Sequence, residues 1–152
     1  MTPELRDLYQ GLLLEHNARP RNLGPLPSPT HEATLHNALC GDQVTVRLRV
    51  EAGRVVEARF EGEGCALSRA SASMLTLAVA GRDRGEIAAI RAELSKLLAR
   101  GAEHEAADRE RLGDLVSLEG VRDVPSRRRC ATLPWEALDA ALGPPGGEER
   151  AR

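Results

Sequence analysis

Apolar and polar residues alternate twice near the middle of the chain. Val44, Val46, Leu48 and Val50 alternate with Thr45, Arg47 and Arg49, and Val56, Ala58 and Phe60 alternate with Val55, Glu57 and Arg59. A period of two puts alternate residues on opposite faces, so each run predicts a strand with one buried face. The turn between them holds Gly53. A two-residue turn at Ala52 and Gly53 sets Leu48 opposite Glu57, apolar against charged. A three-residue loop over Glu51, Ala52 and Gly53, with Gly53 left-handed, pairs Leu48 with Val56, Val46 with Ala58 and Val44 with Phe60. That second register is the expected one. Carried to the open end of the hairpin it sets Cys40 opposite Gly64, next to Cys65, with Asp42 nearby.

Helical spacing frames this hairpin. Thr2 is placed to cap a helix with Pro3 at its first position, and Leu5, Leu8, Tyr9 and Leu12 share a face up to about His16–Ala18. Four prolines between positions 19 and 30 predict an extended connector. A short strand is expected at about Glu32–Asn37. After Phe60, Gly62 and Gly64 free the backbone to turn, and residues 66–80 read as a helix rich in Ala and Ser, ended by Gly81. A further helix is expected over about Asp83–Arg100, with Ile87, Ile90, Leu94, Leu97 and Leu98 on one face and Gly101 closing it. Residues 102–111 are highly charged and read as solvated, with His104 exposed. A short helix is expected over about Leu112–Leu118, ending near Gly120. A last helix is expected from Pro134, capped by Thr132 or Leu133. The tail, 143–152, is Gly-, Pro- and Glu-rich and reads as disordered, after one domain over 1–142.

Composition narrows the function. With 152 residues the chain suffices for one domain with a real core. Aromatics are only 2%, so the core must be aliphatic, and a base-stacking nucleic-acid surface is not expected. A net charge of -2 gives no general attraction to DNA or anionic membranes. Apolar runs fall short of a membrane span, and the charged N-terminus does not read as a signal peptide, so a cytoplasmic protein is expected. No paired catalytic acid and base, phosphate loop or nucleophile elbow is evident.

The cysteines carry the candidate chemistry. Three of them, an odd number without an export signal, argue for metal or sulfur chemistry rather than a disulfide framework. Cys65 falls at the start of a predicted helix, where the positive end of the dipole favours a thiolate. Cys130 is expected beside another helix start, preceded by Arg127, Arg128 and Arg129. Cys40, Asp42, Cys65 and Cys130 together form a four-ligand set that zinc accepts in tetrahedral geometry, and that iron of an iron–sulfur cluster accepts as well. Their spacing is that of neither a zinc finger nor a ferredoxin. The aspartate is the harder and more weakly held ligand, suited to a site that opens. His31 and His36 read as surface or packing residues. The arginine run reads either as a solvated turn or as a docking patch for an acidic partner.

Four stretches, RPRNLG at 19–24, CGD at 40–42, FEGEGC with SRASASM at 60–74, and RRRCATLPWEAL at 127–138, resemble the U-type iron–sulfur assembly proteins of the IscU/NifU N-terminal family. They run in order over nearly the whole chain. The SufU branch is the nearer one. Arg129 stands where IscU-type proteins have a histidine before the third cysteine, 121–125 read VRDVP in place of an LPPVK-like chaperone segment, and the stretch from Cys65 to Cys130 is longer. Arg128 departs from SufU, where that position is usually apolar. The resemblance implies an α+β, SufE/IscU-like fold: a three-stranded antiparallel sheet packed by helices, with the metal site at one tip.

It also implies a function, iron–sulfur cluster assembly. One version is a zinc-dependent sulfur acceptor that takes persulfide sulfur from a SufS-type cysteine desulfurase and passes it to downstream SUF assembly, with Cys40 as acceptor and Arg127 assisting. Another is a scaffold on which Cys40, Cys65 and Cys130 hold a transient iron–sulfur cluster for apo-proteins. A reading of another class is a structural zinc module. The absent histidine and chaperone segment favour the first.

Overall fold

The structure, a computed structural model, describes residues 2–38 and 41–143. Thr2 caps helix α1 (Pro3–Ala18): its hydroxyl accepts from the Leu5 amide at 3.1 Å. The connector that follows does more than span a gap. Gly24 N–H donates to Phe60 O at 2.9 Å and Phe60 N–H to Asn22 O at 3.1 Å, so the connector covers part of an otherwise open sheet edge.

The sheet has the order β1 (His31–Asn37), β2 (Asp42–Glu51), β3 (Arg54–Glu63), all antiparallel neighbours. This is the expected α+β architecture. The hairpin register differs from the expected one. Ala52 and Gly53 form a two-residue turn, both with positive φ (52° and 77°), and Glu51 pairs with Arg54. The conflict this turn creates on paper is removed by a bulge. Val50 pairs with Val55 but Arg49 with Glu57, so Val56 is skipped. From there Leu48 faces Ala58, Val46 faces Phe60 and Val44 faces Gly62, apolar against apolar or small. The bulge also reverses two neighbours: Val55 is 2% exposed and Val56 50%. On the outer face Arg47 bridges Glu32 and Glu61, and Arg49 pairs with Glu57, a solvated lattice of opposite charges.

Helices α2 (Ala66–Val79) and α6 (Pro125–Leu142) cover the inner face, and α1 packs on α2. Helix α3 (Arg84–Leu97) starts at a capping box in which Asp83 and Glu86 serve each other's backbone amides. It buries Ile87, Ile90, Leu94 and Leu97 as expected. Two one-turn helices, α4 (Ala102–Glu105) and α5 (Arg109–Leu112), and a 3-10 helix (Gly113–Val121) follow. Here the solvated reading of 102–111 fails for His104. It is buried, Nδ1 lies 2.7 Å from Leu97 O, and Nε2 lies 3.1 Å from Glu119, which also pairs with Arg109. Charged neighbours satisfy the ring, so a polar composition did not mean an exposed one.

The last helix starts nine residues earlier than expected, at Pro125, with Pro134 inside it. The expected tail lies outside the described residues apart from Gly143, which ends α6 with φ 71°. The core is aliphatic around Trp135, Leu48, Leu75, Leu94, Leu133 and Leu138. No helix among the described residues is long and apolar enough to cross a membrane.

Candidate metal centre

Three described donors meet at one end of the hairpin. Asp42 opens β2 and is paired with Asn37, the last residue of β1. Gly41, with φ 74°, makes the left-handed step into it and donates from N to Asn37 O at 2.8 Å. The Asp42 carboxylate is buried. Its Oδ1 accepts from the Cys65 amide at 3.0 Å, and its Oδ2 lies 3.7 Å from Cys65 Sγ.

Cys65 is the N-cap of α2, where its sulfur accepts from Ser68 N–H at 3.5 Å. Close packing explains the two preceding glycines. A Cβ on Gly62 would lie 2.1 Å from Gln43 O, and one on Gly64 would lie 2.8 Å from Ser68 Oγ and 2.9 Å from Asp42 Oδ1. The ladder ends with Gln43 opposite Glu63, so Asp42 rather than Cys40 takes the place beside Gly64. Cys40 itself lies outside the described residues.

Cys130 approaches from the second layer. It sits inside α6, not beside the helix start expected at Pro134, and is 6% exposed. Proline offers no amide to the carbonyl four residues back, which in α6 is the carbonyl of Cys130. Donor atoms of Asp42, Cys65 and Cys130 all lie within 4.8 Å of one another.

Two thiols and a carboxylate suit zinc, which also takes such ligands in tetrahedral sites. Sulfurs at about 2.3 Å from a tetrahedral ion stand about 3.8 Å apart. The observed separations therefore need only a small closure. Thiolates equally suit iron of an iron–sulfur cluster.

The other candidates fall elsewhere. His36 is exposed on β1 and His31 hydrogen-bonds Thr30 at 2.8 Å, so neither joins the donors. Arg127 is exposed on the first turn of α6, Arg128 donates to Arg122 O at 3.3 Å, and Arg129 lies 3.8 Å from Glu136. Arg128 and Arg129 line a cavity of about 760 Å³ between α6 and α3, whose lining includes none of the three donors.

The serines of α2 turn out to be cross-links as well as small packing residues. Ser71 Oγ donates to Ala131 O at 2.6 Å. Ser73 Oγ accepts from Arg21 N–H at 2.8 Å and lies 2.7 Å from His16 Nδ1, with Asp114 3.5 Å from the other ring nitrogen. That connectivity imitates a hydrolase triad, but Ser73 is fully buried and its oxygen holds the connector. The burial of His16 was visible in the helical period, which places it on the face of Tyr9.

Residues 8–131 match the family described as NifU-like N terminal domain. The chain is 37% identical over 138 residues to the zinc-dependent sulfurtransferase SufU of Bacillus subtilis, covering 91% of each chain. It is 33% identical over 139 residues to the iron-sulfur cluster assembly scaffold protein IscU of Streptococcus pyogenes, covering 91% of this chain and 85% of that one. Among solved structures, the N-terminal part of a NifU-like protein from Brucella abortus superposes with a TM-score of 0.79 at 31% identity, over 91% of this chain and 94% of that one.

Proposed function

The chain belongs to the family of NifU-like N-terminal domains, and from that premise we propose that it serves iron–sulfur cluster assembly as a zinc-binding acceptor of persulfide sulfur. The donor is a cysteine desulfurase of the SufS type, and the sulfur passes on to SUF assembly. The observation that carries this reading is the meeting of Asp42, Cys65 and Cys130 donors within 4.8 Å. The similarity to a SufU named as a zinc-dependent sulfurtransferase supports it.

In this reading Cys40, Asp42, Cys65 and Cys130 are the zinc ligands. Zinc supplies a Lewis acid that keeps thiols deprotonated. Asp42, Cys65 and Cys130 hold the centre while Cys40 reacts. The Cys40 thiolate attacks the outer sulfur of the donor's persulfide. A new S–S bond forms on Cys40, the donor's S–S bond breaks, and its electron pair leaves with the donor's thiolate, so no outside oxidant is needed. Arg127, exposed three residues before Cys130 on α6, is a cation able to hold the freed Cys40 thiolate.

Protein purified without oxygen is expected to hold about one zinc per chain. Cys65→Ala is expected to lose both the metal and thermal stability, because metal binding is folding energy. A Cys65→Ala protein with full zinc content would overturn the ligand assignment.

A second reading is a scaffold that carries a transient cluster on Cys40, Cys65 and Cys130. The similarity to an IscU named as a scaffold favours it. Anaerobic assembly of a stable cluster, with no transfer of sulfur to the protein, would select it.

A further inference from the structure

We propose that Ser71 is a positioning residue for the metal centre, its hydroxyl fixing the helix that carries Cys130 against the helix that carries Cys65. The inference rests on the reading of both cysteines as metal ligands. Ser71 lies on α2, whose N-cap is Cys65, and is fully buried. Its Oγ donates to Ala131 O at 2.6 Å, and Ala131 directly follows Cys130 on α6. One short hydrogen bond therefore joins the two ligand-bearing helices, at the residue after Cys130 and six residues along α2 from Cys65. It ends on backbone, so α6 cannot slide or rotate locally without breaking it.

Pro134 has no amide to give to the ladder of α6, and the carbonyl that Ser71 holds lies three residues before it. Ala70 and Ala131 belong to the same apolar cluster, but apolar packing is non-directional and sets no distance as sharply as a hydrogen bond. Partners behind a ligand orient it, and their loss costs roughly 10- to 100-fold in metal affinity.

Ser73 supplies the internal control. It sits on the same helix, is equally buried and hydrogen-bonded, but its partners are His16 and Arg21 rather than α6. The full chain and its Ser71→Ala, Ser71→Thr and Ser73→Ala variants are titrated with Zn2+ against a chromophoric chelator and with Co2+, whose absorption reports thiolate ligation and tetrahedral geometry. Apo-protein melting is recorded in parallel.

Ser71→Ala is expected to bind Zn2+ roughly tenfold more weakly and to shift the Co2+ spectrum. Ser71→Thr, which keeps the hydroxyl in a crowded site, melts earlier yet keeps wild-type affinity and spectrum. Ser73→Ala melts earlier with the spectrum unchanged. Wild-type affinity and spectrum in Ser71→Ala would overturn the proposal, as would equal losses of affinity in all three variants. If the unmodified chain binds neither ion, it is the ligand reading that fails.

Discussion

The Cys65 amide donates to one oxygen of Asp42 at 3.0 Å while the Cys65 sulfur stands 3.7 Å from the other. One carboxylate thus joins the start of β2 to the start of α2 and still presents Oδ2 to the thiol. Asp42→Ala separates these two tasks. Loss of a hydrogen bond to a charged group is worth about 1.5–3 kcal/mol, so the apo-protein should melt at lower temperature. With the weakest ligand of the set gone, any metal retained should exchange more slowly. Chelator-exchange kinetics and apo melting check both. Wild-type behaviour in exchange and in sulfur transfer would make Asp42 a turn residue only.

Gly64 is fixed by the same geometry. Adding a Cβ brings it to 2.8 Å from Ser68 Oγ and 2.9 Å from Asp42 Oδ1. Gly64→Ala must push the carboxylate away or strain the helix start, at a cost of about 1–3 kcal/mol. Urea unfolding of the apo-protein and zinc affinity should both fall. Gly11→Ala, where the added Cβ meets nothing within 4 Å, is the control expected to show neither loss.

Acid sensitivity has a local source at the start of α3. The Asp83 backbone N–H, first among its causes, holds the Glu86 carboxyl below its ordinary value of 4.5, with Arg54 adding to the effect. A carboxyl depressed in the folded state stabilises the fold above its unfolded value and loses that contribution as pH falls through the folded one. Wild-type stability should therefore decline below about pH 4.5. Glu86→Gln keeps an acceptor but does not titrate, so its stability should fall less steeply over that range in urea titrations. Because a backbone amide leads, added salt should leave most of the difference in place.

Much of this was legible in the chain. Alternation gave β2 and β3, the cap signal at Thr2 gave the start of α1, and the apolar face of Ile87, Ile90, Leu94 and Leu97 gave α3. The hairpin register was not legible, because a period of two cannot show that Val56 is skipped. Ala52 also adopts a positive φ that a sequence reader reserves for glycine. The start of α6 was misplaced because two prolines compete. Pro134 looked like a first-turn proline, but Pro125 takes that role and Pro134 is carried within the helix. His104 departs from its expected exposure for a different reason: the groups that partner its ring, Glu119 and Arg109, lie outside or at the margin of its own charged run. At the candidate site, the nearness of Asp42 to Cys65 was anticipated through a register two residues off, and the register found brings them together more directly.

The persulfide should be carried by Cys40. Cys65 is committed as the cap of α2, with Ser68 N–H on its sulfur and Asp42 on its amide. Cys130 is inside α6 and 6% exposed. A ligand that must leave zinc and reach a partner's sulfur needs a freer backbone than a helix provides. Cys40 precedes Gly41, whose left-handed φ of 74° is a conformation that glycine adopts without strain. Incubation with a cognate cysteine desulfurase and cysteine, followed by non-reducing mass spectrometry, should place the added sulfur on Cys40. Cys40→Ser should abolish stimulation of the desulfurase while part of the zinc is kept by Asp42, Cys65 and Cys130. Arg127→Ala should weaken transfer without lowering zinc content, since its side chain is exposed and outside the donor group. Sulfur found only on Cys130, with Cys40→Ser still active, would reverse the assignment, because a buried helical thiol would then be the one that leaves the metal.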